Sequence, residues 1–250
     1  MRRRLIRLTF RSLLVSALLS SLTGCVWWRL YQVYNQMAEF DEHFSVQHDQ
    51  SFTLFFKDPV VYSEDFVFLA KLQPTQKGVH QGVHRWDYFF QKVDQNNQSV
   101  NPPIAFTWTL FFNADNRLEA AELSPIFLKI VPPAFLEASI RSIAGAAINA
   151  TERQLKADVA KMAKITVPLP TKNSILAVLG APIGREKSPA GEVLSFRFLL
   201  VSADIEPGYE SRAMSTVKLT FDPNTERLSR MSGRYAGLKI AINYQNLTAL

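Results

Sequence analysis

Four large apolar side chains spaced two residues apart, Phe106, Trp108, Leu110 and Phe112, constrain this chain most. Alternation of that kind puts one apolar row on a single side of a β-strand. Val217, Leu219 and Phe221 repeat the pattern, and other fragments recur at a similar distance. Arg85-Trp86-Asp87-Tyr88-Phe89-Phe90 lies 110 residues before Ser195-Phe196-Arg197-Phe198-Leu199-Leu200. Arg117-Leu118 meets Arg227-Leu228, and Leu128-Lys129-Ile130 meets Leu238-Lys239-Ile240, at the same offset. The alternating strands align at 109, because the turn Asp222-Pro223-Asn224-Thr225 is one residue longer than Asn113-Ala114-Asp115-Asn116. Proline presets φ and Asn or Asp tolerates tight backbone conformations, so both stretches read as reversals. Each copy is therefore expected to be a three-stranded antiparallel meander. Shared order and period point to a duplicated unit.

A short helix is expected before each meander. Thr171 is a natural N-cap, Ile175, Leu176 and Leu179 supply an apolar face, and Gly180 stops the helix before Pro182. In the first copy Ser63 is the expected cap of a helix running through Phe66 to Leu72, and Phe52-Thr53-Leu54-Phe55-Phe56 reads as an added strand. Between the copies Pro132-Pro133 opens the longest helical pattern. Leu136, Ile140, Ile143, Ala147, Thr151, Leu155 and Val159 recur at intervals of three and four, opposite Arg141, Glu152, Lys156 and Lys164, with Gly145 as a weak point. A long helix over 132–164 follows, either covering a sheet face or spacing the copies. Tyr88-Phe89-Phe90 and Leu110-Phe111-Phe112 put aromatics on both sides of their strands, so both faces need cover. The long helix, with its apolar stripe, is favoured for that over a partner or lipid.

The amino-terminal segment has a different logic. Arg2, Arg3, Arg4, Arg7 and Arg11 precede a short apolar core, Leu13 to Leu19, with no acidic residue among them. Positive charge, a short apolar helix and small residues make the order of an export signal. Its end, Leu22-Thr23-Gly24-Cys25, resembles the lipobox of bacterial lipoproteins. The resemblance implies a signal peptide over 1–24, cleavage before Cys25, and acyl chains such as palmitate on Cys25 as the lipid attachment residue. An uncleaved membrane helix is the rival. However, the run between Arg11 and Arg29 falls short of roughly 20 apolar residues and holds four serines and a threonine. In lipoproteins of this kind, chains without Asp after the lipidated cysteine go to the outer membrane, and Val26 stands there. Outer-membrane anchoring facing the periplasm is therefore expected, with the inner membrane's periplasmic face as the alternative. Trp27, Trp28, Leu30, Tyr31 and Tyr34 suit the membrane interface, while Leu30, Val33, Tyr34, Met37 and Phe40 suit a helix packed on the body.

Charge excludes one class of partner. The chain has 28 basic and 22 acidic residues, and five of the basic ones are the leader's arginines, which leaves 23 against 22. No Lys/Arg patch is expected and no nucleic acid partner. With a single cysteine there is no internal disulfide and no thiolate metal site.

Thr171-x3-Ile175-x3-Leu179-Gly180-Ala181-Pro182 resembles the signature of the SmpA/OmlA (BamE)-type outer-membrane lipoproteins. That family carries a Thr-capped helix ending in Leu-Gly-x-Pro and then an antiparallel three-stranded sheet. Phe196-Arg197-Phe198, Phe221-Asp222 and Leu228 sit where its strands follow, while Leu169-Pro170 replaces the Gly-Met that commonly precedes the Thr. A tandem pair of such units is similar to the β-lactamase-inhibitor-protein fold, which binds a partner across joined sheets. The resemblance implies an α+β interaction protein of the cell envelope, not an enzyme. The expected organisation is 1–24 signal, 25–50 membrane-proximal segment, 51–131 first unit, 132–164 long helix and 165–250 second, BamE-like unit.

No nucleophile elbow, P-loop, dinucleotide fingerprint or HExxH motif is present, so no catalytic residue and no cofactor are assigned. All four histidines, His43, His48, His80 and His84, fall in the first third. Gly78 and Gly82 place the last two in a loop, and Asp41, Glu42 and Asp49 stand as further ligands for a metal. A polar surface loop is favoured over a metal site, since ligand types alone are weak grounds. The expected role is a non-enzymatic, lipid-anchored protein that binds an envelope protein in outer-membrane assembly or maintenance. The alternatives are an inhibitor or binding module for a periplasmic enzyme, and a carrier of an apolar ligand between the units.

Overall fold

Alternation of large and small side chains builds most of this molecule. The computed structural model describes residues 26–149, 154–158, 169–202, 204–235 and 237–244. Cys25 and the expected signal segment lie outside them. The protein is mixed α/β, dominated by an antiparallel sheet and carrying short helices. Helix α1 runs through residues 26–38, followed by α2 (Phe40–His43), α3 (Ser63–Ala70), α4 (Ile126–Ile130), α5 (Pro133–Arg141) and α6 (Lys172–Leu179). The first half of the chain gives β1 (Phe44–Gln47), β2 (Phe52–Phe56), β3 (Gln76–His80), β4 (Val83–Val93), β5 (Ala105–Phe112) and β6 (Leu118–Leu123). The second gives β7 (Ala147–Asn149), β8 (Gln154–Asp158), β9 (Gly184–Ser188), β10 (Gly191–Leu200), β11 (Met214–Phe221), β12 (Leu228–Tyr235) and β13 (Leu238–Asn243).

Two small three-stranded sheet units joined by a long helix were expected, and one 13-stranded sheet is found. Its order is β1-β2-β6-β5-β4-β10-β11-β12-β13-β8-β7, with β3 beside β4 and β9 beside β10. All pairs are antiparallel except β13 with β8. The meanders fuse because β4 and β10 are long enough to split one edge between two partners. Residues 83–87 of β4 pair with β3, and its end pairs with β10 from Phe90↔Leu200 to Val93↔Arg197. In the same way β10 pairs with β9 at its start and with β4 at its end.

The halves repeat their local geometry closely. Tyr62 bridges Arg117, and Thr171 bridges Arg227. Asn113 Oδ1 accepts the backbone N–H groups of Asp115 and Arg117 at 3.0 Å, and Asp222 Oδ1 accepts those of Asn224 and Thr225 at 2.9 Å. A bulge interrupts the register at Phe111/Phe112 and again at Thr220/Phe221. Lys71 and Gly180, at φ 61° and 64°, end α3 and α6. One detail departs from the sequence alignment. His84 opposes Phe112 while Glu192 opposes Phe221, so Tyr88 takes the place of Phe196 instead of Phe198. A shift of two residues keeps every side chain on its face.

The helix motif around Thr171 folds as read: its Oγ1 accepts the N–H of Ser174 at 3.1 Å, and Gly180 closes α6. At α3 the cap is one residue earlier than expected. The carboxylate of Asp65 accepts the N–H of Tyr62 at 2.9 Å, and Ser63 is the first helical residue.

The long helix over 132–164 is corrected. Helix α5 ends at Arg141, a 3-10 turn spans Ser142–Gly145, and β7 and β8 take over. Ser139 Oγ donates to the Phe135 carbonyl at 2.7 Å and Ser142 Oγ to that of Ser139 at 2.6 Å, competing with the helix ladder just where it tightens. Residues 154–158 then add in parallel to the open edge of β13, from Gln154↔Lys239 to Asp158↔Asn243. The Thr151–Glu152 and Val159–Lys164 parts of the pattern lie outside the described residues.

The core lies on one side of the sheet. Trp86, Tyr88, Phe90, Leu110, Phe112, Leu194, Phe196 and Phe198 belong to a single buried cluster with Ile175 and Leu179 of α6 and Phe135 of α5. Phe66 of α3 meets Trp108 and Phe112 edge-on, and Phe127 of α4 meets Phe106. A satellite cluster joins Met37 and Phe40 to Phe44 and Leu54. Arg29 fixes α1 to α3 through a two-pronged contact with the buried Asp65 carboxylate, at 2.7 and 2.5 Å.

Candidate binding surface

Strand pleating leaves a second face opposite that core, and the contacts above give every helix among the described residues to the first. The expectation that the connecting helix covers the second face is thus corrected: α5 packs Phe135 into the same core as the rest. Phe89 and Phe111, the odd members of the two aromatic runs, point to the open face by their register with Thr107 and Ala120.

The first half of this face is a shallow depression of about 540 Å³, lined among others by Asp49, Thr53, Phe55, Phe111, Glu119 and Glu122. Phe55 is 37% exposed there. Asp87 sits nearby, bound by Arg85 Nε at 3.0 Å and by the Thr109 hydroxyl at 2.6 Å.

The second half is basic. Arg197 opposes Thr216, Thr216 opposes Arg234, and Arg234 opposes Lys239, making one row across four strands. Lys218 opposes Ser195 and Arg230 opposes Thr220 on the same side. Lys218 reaches Glu186 at 3.7 Å, whereas Arg230, Arg234 and Lys239 form no ion pair among the described residues. Like charges placed directly opposite on paired strands are destabilising, so the Arg234–Lys239 pair is a local cost that an anion would relieve. The expectation of no Lys/Arg patch is therefore corrected. Near-neutral totals concealed a face that is acidic at one end and basic at the other. Its signal in the sequence was the even spacing of Arg230, Ser232 and Arg234 against the inward Met231.

Cys25, the expected lipid attachment residue, lies outside the described residues. Just after it, Trp27, Trp28 and Tyr31 of α1 are 53%, 61% and 54% exposed. Met37 of the same helix and the neighbouring Phe40 are buried, so the segment is apolar at both ends for different reasons. No helix among the described residues is long and apolar enough to cross a membrane.

The histidines do not converge. His80 and His84 lie on β3 and β4, joined by a tight turn with Gln81 at φ 51° and Gly82 at φ 80°. The expected loop is therefore a hairpin. His43 gathers Glu39 and Glu42 instead, in a half-exposed group whose ligand atoms lie within 4.8 Å. Its Nδ1 is already 2.8 Å from the Asp58 carboxylate. Asp41 turns away to Arg141 at 2.5 Å, a hydrogen bond that holds its carboxyl below the usual range. Asp49 accepts from Gln47.

Comparison of the chain with family models, curated proteins and solved structures found no match.

Proposed function

We propose that this chain is a lipid-anchored, non-enzymatic envelope protein that docks another protein on the uncovered face of its sheet. The observation that carries the reading is that face: a continuous sheet with all its described helices on one side and aromatic, acidic and basic groups on the other. Contiguous exposed surface of mixed chemistry on a sheet supports a recognition role. The depression between the halves is lined by Lys92, Asp94, Gln95 and Asn96 beside Pro182 and Ile183, a polar lining that does not favour an apolar-ligand carrier.

The anchor rests on the lipobox-like Leu22 to Cys25, with Cys25 as the acylated residue, and on the exposed Trp27, Trp28 and Tyr31 beside it. Val26 in the sorting position supports the outer membrane, facing the periplasm, as the place of that anchor. Repetition of bridge, turn, bulge and cap supports two tandem BamE-like units, fused as in the β-lactamase-inhibitor-protein fold. Outer-membrane assembly or maintenance is the role that this resemblance suggests.

Crosslinking in intact cells, followed by gentle purification, tests the proposal. Recovery of β-barrel proteins or their assembly factors supports it. Recovery of one periplasmic enzyme replaces it with the inhibitor reading. Metabolic labelling with a fatty acid that is lost in Cys25→Ala supports the anchor, and an unlabelled wild type removes it.

A further inference from the structure

We infer that the uncovered sheet face receives a second copy of this chain, the acidic half of one copy lying on the basic half of the other. The inference rests on the proposed reading of that face as a protein-docking surface. Three observations carry it.

The first is charge. Glu119, Glu122 and Asp49 line one half, and no ion pair within the described residues satisfies them. Arg230, Arg234 and Lys239 occupy the other half in the same condition. A surface carrying unpaired acids at one end and unpaired bases at the other is complementary to itself after a half-turn.

The second is composition between the ends. Leu199 opposes Met214 on one side and Gln91 on the other, and Phe89 lies one step along β4 on the same face. An apolar middle flanked by charge is the anatomy of a specific interface.

The third is size and symmetry. Eight strands, β2 to β13 in sheet order, at about 4.8 Å spacing and about five residues each, give roughly 600 Å² per copy. Two such faces bury about 1,200 Å², which reaches the lower range of specific interfaces. Glu122 is level with Asp87 of β4 through Thr109, while Arg234 is level with Val93 through Thr216 and Arg197, so a two-fold axis lying between the faces and oblique to the strands exchanges the acidic and basic ends.

Sedimentation of the full chain in mild detergent, at about 50 and about 500 mM salt, is the test. The wild type is expected to dimerise at low salt, with at least a ~10-fold weaker association at high salt. The double variant Glu119→Lys/Glu122→Lys and the double variant Arg230→Glu/Arg234→Glu are each expected to be monomeric. Mixed in equal amounts they should recover a dimer, because the substituted positions of each then meet opposite charge on the other. A monomeric wild type, charge variants that dimerise unchanged, or a mixture that stays monomeric overturns the proposal. The wild-type salt dependence decides alone if a variant does not fold. A monomer that still crosslinks to another protein from the open face removes only the self-pairing, and a monomer without such crosslinks removes the docking reading too.

Discussion

The Nζ of Lys92 donates a hydrogen bond to the carbonyl oxygen of Leu179 at 2.5 Å, tying a strand of the first half to the last residue of a helix in the second. A further bond runs from Nζ to Ala181 at 2.6 Å. The relationship is returned from the other side. Arg212, between β10 and β11, donates Nη1 to the carbonyls of Leu69 and Ala70 at 2.9 and 3.0 Å, where α3 ends. Helix C-termini leave carbonyls unpaired and attract cations. Each half thus closes the helix of the other, a reciprocal clasp in addition to the four-pair junction of β4 with β10.

Removing one clasp should loosen the halves. Lys92 is buried, and burial pulls its pKa below the ordinary lysine value, a desolvation cost that the two carbonyl hydrogen bonds offset. Lys92→Met keeps the length and leaves the Leu179 and Ala181 carbonyls without their donor. A loss of about 2 kcal/mol in denaturant unfolding is expected, as for charge-assisted bonds. An unchanged midpoint would show that the clasp is idle.

The two equivalent turns differ in one titratable group. Backbone N–H groups of Thr225 and Asn224 hold the Asp222 carboxyl below its ordinary 3.8, while Asn113 makes the matching bonds without ionising. A depressed carboxyl stabilises the fold above its unfolded pKa, and that contribution fades as pH falls through the folded pKa. Asp222→Asn should therefore keep the turn and flatten the loss of stability below about pH 4. Thermal melts of both proteins from neutral pH into that range check this; parallel curves contradict it.

Much of this was legible in the sequence where local and tertiary demands agree. Phe106 to Phe112 alternate because their strand has one buried side, and Thr171 to Gly180 form a helix because cap and stop are both local. The long helix failed for a tertiary reason: the free edge of β13 recruits residues 154–158, which helical periodicity alone cannot reveal. The His80–His84 hairpin was missed because a Gln81-Gly82 turn is a weak signal next to Asn-Gly. The open face was half visible. Its aromatics at Phe89 and Phe111 stood out, but its charged ends needed the strand register before Glu122 and Arg234 could be placed on one surface.

Gly191 opens β10 at φ +123°, and an added Cβ there would stand 1.9 Å from the Phe221 carbonyl oxygen. Backbone cannot yield as a side-chain tip does. Gly191→Ala should cost about 3 kcal/mol or more, combining strain and the clash. Gly78→Ala, with nothing within 4 Å of its Cβ, should shift stability by less than about 1 kcal/mol. Equal effects at both sites would contradict the β10–β11 geometry.

The hydroxyl of Tyr88 is buried without a hydrogen-bond partner among the described residues, and burial raises its pKa above the ordinary tyrosine value. A buried donor without an acceptor costs free energy, so removing it should not harm the fold. Tyr88→Phe is expected to leave stability unchanged or raise it by about 1 kcal/mol in denaturant unfolding. A loss of that size would reveal an acceptor for the hydroxyl.

The most direct measurement is site-resolved photocrosslinking in living cells. A photoreactive residue is placed at Thr216, in the basic row of the open face, and for comparison at the exposed Glu64 of α3 on the helical side. Docking on the open face predicts protein adducts, to a second copy or to an envelope partner, from Thr216 and not from Glu64. Adducts confined to Glu64, or none from Thr216, would contradict the account.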